Sequence, residues 1–314
     1  MIKTGLMRSL LKTCLCVVVG VLLMRWLFLT PFSIPSEGME NTLLRGDRVL
    51  VNRWSYGFRL PFASWLGVHR WGGGSVGKGE VVLFNNPAPQ WAGQPLEQRE
   101  VFVGRCIALP GDTLRMNGER MVVGDRSLSP NRKLLYAYPM EWEGELTRAM
   151  ARFELTDRGP VGYDEGCYMR SFSAYELYLL RQALQNRVPF RALPGEEAEG
   201  LHALVVPARG KAVQVDDWNV KLLCNTINQH EGRHAVVRGD SLWVDGRRVS
   251  SFAFSKDYFW VASDNSMSLC DSRLFGFVPE DHLIGRAAWL WFSKDPERPW
   301  WGGWRWKRFF RRIQ

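Results

Sequence analysis

The chain has 314 residues, 46% of them hydrophobic and 23% charged, enough apolar material for a sizeable core and a composition that excludes a disordered polyelectrolyte. Its net charge of +9 is concentrated locally, because Arg305, Lys307, Arg308, Arg311 and Arg312 lie in a C-terminal stretch without a single acid. The six cysteines form no Cys-x-x-Cys pair, and the five histidines form no cluster at metal-binding spacing. No metal and no cofactor are therefore expected.

Lys3, Arg8 and Lys12 precede an apolar run from Thr13 to Leu29, interrupted only by Arg25. The run has about the length a tilted membrane helix needs, and its positive flank predicts a cytoplasmic N-terminus with the body across the membrane. Arg25, near the far end, can lay its stem along apolar surface and reach the interface with its head. A cleaved leader is the alternative, but no Ala-x-Ala-like site follows the apolar core, and Leu11-Lys12-Thr13-Cys14 makes a poor lipidation site.

Strand character follows in Asp47 to Asn52, Glu80 to Phe84, Glu100 to Leu109, Ala235 to Val244 and Ile284 to Phe292, separated by Gly- and Pro-rich turns. Between Pro130 and Gly232 the period changes. Phe172 to Asn186 carries Phe172, Tyr175, Leu179 and Ala183 at helical spacing, and Asp217 to His230 carries Val220, Leu223 and Ile227. This region reads as one inserted subdomain. If the body faces an oxidising compartment, Cys106, Cys167, Cys224 and Cys270 could pair, Cys167–Cys224 being the favoured bridge, and free buried thiols are the other reading. The tail interleaves Trp300, Trp301, Trp304, Trp306, Phe309 and Phe310 with the five cations, a composition suited to a lipid interface. A nucleic-acid partner would also suit such a stretch, but the anchor argues against it.

Past the anchor the chain reads Ile34-Pro35-Ser36-Glu37-Gly38-Met39-Glu40-Asn41-Thr42-Leu43, then Gly46-Asp47-Arg48-Val49. Further on come Phe102-Val103-Gly104-Arg105 and Leu109-Pro110-Gly111-Asp112. Near the C-terminus stand Ser263-Asp264-Asn265 and Asp271-Ser272-Arg273, followed by Phe275-Gly276-Phe277-Val278-Pro279. Each fragment alone is an ordinary turn, but three ordered motifs behind one anchor are specific. Together they resemble the bacterial type I signal peptidases. The resemblance implies a mainly β fold with a cytoplasmic N-terminus and N-terminal transmembrane helix (together residues 1–30) and a β core (31–129 and 233–299). It further implies an inserted α/β subdomain (130–232), and the composition noted above adds a basic aromatic membrane-interface tail (300–314).

Members of that family use a Ser hydroxyl as nucleophile and a neutral Lys as base. The resemblance assigns the nucleophile position, before Met39, to Gly38, and the base position, before Arg105, to Gly104. Ser36 corresponds to the family's oxyanion donor. Met39, Asp47, Arg105, Gly111, Asp112, Asp264, Asn265, Asp271, Ser272 and Arg273 keep the motif framework, whereas Ser263, Ser266 and Leu269 depart from it. With nucleophile, base and the neighbouring Ser all absent, little residual rate is expected.

The resemblance therefore implies a non-cleaving homologue, binding signal peptides of pre-proteins or a partner peptidase at the outer face of the inner membrane, with membrane lipid as a partner. Two alternatives stand beside it. One is an active signal peptidase using noncanonical residues or carrying engineered Gly substitutions; the other is a structural assembly factor of the envelope. A displaced dyad of Ser36 or Ser33 with Lys78 is disfavoured because Lys78 lies in a Gly-rich turn. Gly73-Gly74-Ser75-Val76-Gly77 lacks the strand and helix that a hydrolase nucleophile elbow needs.

Overall fold

The computed structural model describes residues 12–18, 20, 29–59, 70–88, 93–117, 120–123, 126–127, 132–155, 159–193, 202–268 and 270–313. Residues 12–18 and 20 are helical and exposed; the rest of the expected anchor up to residue 28 lies outside the described residues. Among the described residues no helix is long and apolar enough to cross a membrane.

The body is mainly β. An eight-stranded antiparallel sheet runs, in spatial order, through Leu29–Ser33, Asp47–Asn52, Leu283–Ser293, Val81–Asn85, Val101–Ala108, Tyr258–Ala262 and Val278–Pro279, with Arg311–Arg312 pairing Leu283–Ser293 off this path. Val81–Asn85 is buried along its whole length, and its period-2 alternation serves two cores. Val81 and Leu83 join Ile34, Met39, Leu43 and Val49 on one side. Val82 and Phe84 join Tyr56, Cys106 and Val261 on the other.

Three sequence expectations change in the structure. Ala235 to Val244 is a hairpin of Ala235–Arg238 and Ser241–Val244 rather than one strand, because Gly239, at φ 58°, takes the left-handed turn conformation. The helix expected from Phe172 begins at Ala174: Ser173 caps it, accepting from the Glu176 N–H while Glu176 accepts from the Ser173 N–H. Phe172 is a buried strand residue, and the helix buries Leu177 and Leu180 and leaves Tyr175 exposed. The signal was present as Ser173-x-x-Glu176.

The stretch expected as one insertion divides. Residues 132–193 fold around a core of their own, with Tyr138, Leu146, Phe172, Leu180 and Val188 at its centre. Buried Arg170 is held there by Glu143 and the Tyr138 hydroxyl. His202–Val205 instead pairs with Thr113–Asn117, and Val220–His230 packs Val220, Leu223 and Ile227 beside Ile107, Leu242 and Trp260 in the body. Cys167 and Cys224 thus sit in separate units, and both are free, as are the other four cysteines.

His230 and His282 are buried with ring centroids 5.2 Å apart. Around them stand Asp281, bonded to His282 Nδ1 at 2.8 Å, Arg99, 3.0 Å from His282 Nε2, and Lys256, Tyr258 and Glu231. Burial, reinforced by the neighbouring His282, pushes His230 down to about 3, and burial also lowers His282. Burial alone would raise Asp281, but His282 and Lys256 hold it well below the carboxylate range.

Two outcomes are expected. Non-reducing peptide mapping will find Cys167 and Cys224 unlinked, and reductant will leave the melting temperature unchanged. The second concerns pH. His230 stays neutral in the fold while the unfolded imidazole gains a proton below about 6.5, so stability present above that pH is lost as the pH falls. Urea unfolding at pH 5 should show His230 costing about 2 kcal/mol relative to neutral pH, and His230→Gln should remove that part of the slope. Asp281 does not contribute in this window, because a depressed carboxylate loses its contribution only below about pH 4.

Candidate functional site

Three loops converge beside the Val101–Ala108 strand. The first, residues 34–43, follows the edge strand Leu29–Ser33 and is stapled by Ile34, Met39 and Leu43, each at most 1% exposed. The Leu43 and Thr42 N–H groups both bond the Met39 carbonyl, at 2.7 and 3.1 Å, so the segment is a tight turn. Ser36 is exposed at its start, while Gly38 is buried. The Gly38 carbonyl accepts from the Asn265 N–H at 2.9 Å, which joins the first loop to the third.

The space around each glycine is informative. A Cβ on Gly38 would lie 2.8 Å from Ser268 Oγ and 3.3 Å from Ser263 Oγ. A Cβ on Gly104 would lie 2.4 Å from Val261 Cγ1 and 3.4 Å from the Ala262 carbonyl oxygen. Neither glycine is in the left-handed region that requires one. The volume a side chain would need is taken by neighbours, by a rotatable hydroxyl in one case and by a buried β-branched side chain in the other.

Charge pairs hold the loops together. Arg105 binds Asp264 through Nε and Nη2, both at 2.8 Å, with both side chains almost fully buried. The Thr42 hydroxyl donates to Asp264 at 2.5 Å and accepts from Arg105 Nη2 at 2.9 Å, and Arg105 Nη1 reaches the Gly79 carbonyl. Asp271 accepts from the Ser263 N–H at 2.8 Å and caps the short helix Ser272–Phe275. Arg273 pairs with Asp271 at 2.9 Å and donates to the carbonyls of Ser266 and Ser268. The Ser272 hydroxyl accepts from the Val261 N–H. Gly111, at φ 87°, lets Asp112 turn back onto the Leu109 N–H.

Two lysines border these loops, Lys78 and Lys133. Lys78 is half exposed and pairs with Asp112 at 2.9 Å. Lys133 is 3% exposed and lies between Glu40 and Glu176 at 3.6 and 3.5 Å. Its backbone forms a bridge with Asn265. An ammonium engaged with carboxylates offers no lone pair to a hydroxyl. Burial raises Glu40 above the usual carboxylate range, with Lys133 opposing. This three-residue cluster, which joins the 132–193 unit to the first loop, was not found from the sequence, and neither was the role of Thr42. A lone Lys in a turn-rich stretch carries no such signal.

The tail also belongs to the site. Asp47, fully buried, receives Arg308 Nη2 at 2.6 Å, with Arg305 Nη1 4.0 Å away. Leu269 and Arg25 lie outside the described residues.

With three motif loops assembled on one antiparallel sheet, the chain belongs to the signal peptidases of peptidase family S26: the family's sequence model, Signal peptidase, peptidase S26, matches residues 7–164 and 200–292. The unmatched residues between these segments fall mostly in the 132–193 unit. Among curated relatives, Signal peptidase I of Aquifex aeolicus is 26% identical over 292 residues, covering 91% of this chain and 85% of its own length. Signal peptidase I of Buchnera aphidicola subsp. Schizaphis graminum is 24% identical over 289 residues, covering 92% and 76%. Signal peptidase I of Pseudomonas aeruginosa is 35% identical over a shorter 100 residues, 32% of this chain and 31% of its own.

Adding a methyl group at each glycine separates the two sites. Gly104→Ala forces Cβ against stiff Val261 and is expected to cost about 1–3 kcal/mol, whereas Gly38→Ala is relieved by rotation of Ser268 and costs less than about 1 kcal/mol. Combining Gly104→Ala with Val261→Ala should cost less than the sum of the single changes in denaturant unfolding. Equal costs at the two glycines would contradict this account of the packing.

Proposed function

We propose that this chain is a non-cleaving signal peptidase homologue that binds extended segments of pre-proteins at the outer face of the bacterial inner membrane. The observation that carries the proposal is the filled space at both glycines: Ser268 and Ser263 at Gly38, Val261 at Gly104. A family member that had merely lost two side chains would leave voids there. Here a Cβ would press on Val261 at Gly104 and on the rotatable Ser268 hydroxyl at Gly38, and Lys78 and Lys133 are engaged with carboxylates.

Binding needs less than catalysis. Leu29–Ser33 is an edge strand of the body sheet and runs directly into the Ser36–Gly38 turn. Val101–Ala108 pairs with Val81–Asn85 over Val101 to Arg105, but its ladder to Tyr258–Ala262 covers only Arg105 to Ala108. Val101 to Val103 therefore presents one edge without a described strand partner, and an extended peptide can add to such an edge through backbone hydrogen bonds. Membrane placement is supported by the exposed Trp289, Trp291, Trp300, Trp301, Trp306 and Phe310 and by the apolar, exposed residues Leu15, Val17 and Val18 of the N-terminal helical stretch.

A second reading, an assembly factor, draws on one observation: Tyr163, Tyr175 and Tyr178 are exposed on the 132–193 unit, and aromatic side chains of that kind anchor protein interfaces.

Cleavage of a labelled pre-protein in detergent, with parallel photo-crosslinking of its signal peptide, tests the proposal. The unmodified chain is expected to crosslink at Ser33 and Val103 without cleaving. Cleavage by it would overturn the non-cleaving reading, and absence of crosslinks would favour the assembly role. A Gly38→Ser, Gly104→Lys, Val261→Ala variant, in which Val261 is trimmed to make room, reports whether the cleft still positions a scissile bond.

A further inference from the structure

The aromatic, basic tail does not simply hang from the body. Ile313, 7% exposed, enters the apolar cluster that contains Ile34, Met39 and Leu43, the three residues that staple the Gly38 turn. Arg311–Arg312 adds to the edge of Leu283–Ser293 at Trp289 and Leu290. Just ahead of these anchors, Arg308 Nη2 donates to the Thr42 carbonyl at 3.0 Å and to buried Asp47 at 2.6 Å. Thr42 is the residue whose hydroxyl meets both Asp264 and Arg105. A continuous chain of charge-assisted contacts therefore runs from the tail, through Thr42, to the residue that follows Gly104.

The tail divides its functional groups. Arg305 and Arg308 turn inward to Asp47, while Trp300, Trp301, Trp306, Phe310, Arg311 and Arg312 face outward. The outward set combines aromatic rings and cations, complementary to an anionic bilayer surface. We propose that the tail is a clasp on the cleft and that Arg308 is its positioning residue, so that docking of the tail on an anionic bilayer orders the Gly38 turn. This deepens the peptide-binding reading and assigns its regulation to lipid contact. A ligand shifts such an equilibrium only if it favours one state; here the bilayer favours the seated tail because the seated backbone presents the aromatic and cationic groups together.

The test is amide hydrogen exchange on the full-length chain in nanodiscs of phosphatidylcholine, with and without phosphatidylglycerol. Exchange at residues 38–43 and 263–268 should slow when the anionic lipid is present. Arg308→Met should speed exchange there about tenfold or more, as expected when a hydrogen bond to a charged group is lost, and should abolish the lipid effect. Arg308→Lys, which keeps the charge but not the fork that reaches two acceptors, should fall between; it also carries the test if the Met variant does not fold. Wild-type exchange at 38–43 in folded Arg308→Met, or a lipid effect that survives the substitution, would overturn the clasp. Because exchange is read without peptide, this failure is distinct from failure of peptide binding, which crosslinking reports separately.

Discussion

The buried pair of Arg105 and Asp264 is the constraint on which the rest of the site depends. It joins a strand of the main sheet to the loop that enters from the far end of the chain, and Thr42 draws the first motif into the same contact. Removing one partner from such a pair leaves an uncompensated charge in the interior, typically about 3–5 kcal/mol. The two glycines lie directly beside this framework: Gly104 precedes Arg105, and the Gly38 carbonyl is bonded to the residue after Asp264. The framework between the motif loops is therefore paired throughout, while neighbouring side chains crowd the space beside both glycines.

That combination separates two kinds of change in an enzyme-like fold. Side chains that hold loops together serve folding as well as chemistry, so their loss is resisted by stability. Nucleophile and base contribute mainly to rate, and their surroundings can repack once rate is not required. Val261 crowds Gly104 closely, whereas Gly38 is met by the rotatable hydroxyl of Ser268. The carboxylates follow the same division. Asp47, Asp264 and Asp271 each meet an arginine, and each such pair ties down a loop rather than facing an open cleft.

Much of this was legible in the sequence because the motifs are local. A run such as Leu109 to Asp112 signals its own turn, and the alternating strands signal their faces by period. Less legible was anything set by contacts across the chain. Lys133 is separated from Glu40 and Glu176 in sequence, so its burial between them has no local signature. The second helix of the supposed insertion was found correctly at Val220, Leu223 and Ile227, but a helical period does not say which core receives it; the structure seats it in the body. Phe172 was misread because apolar spacing was followed across Ser173, whose capping hydrogen bond ends the strand and starts the helix.

The tail illustrates the same limit and adds a consequence. Composition alone suits a lipid-facing segment, and the exposed tryptophans agree with that chemistry. Composition does not distinguish cations that face lipid from cations that fold inward, since both are arginines in one short stretch. Asp47 makes the distinction: a fully buried carboxylate must be compensated, and Arg308 reaches it with a hydrogen bond while Arg305 stands nearby. A buried acid in the first motif therefore dictates the fold of the last residues of the chain. The exposed aromatic groups of the tail are consequently positioned by the loop that carries Gly38, and the tail is packed against the motif loops instead of standing apart from them.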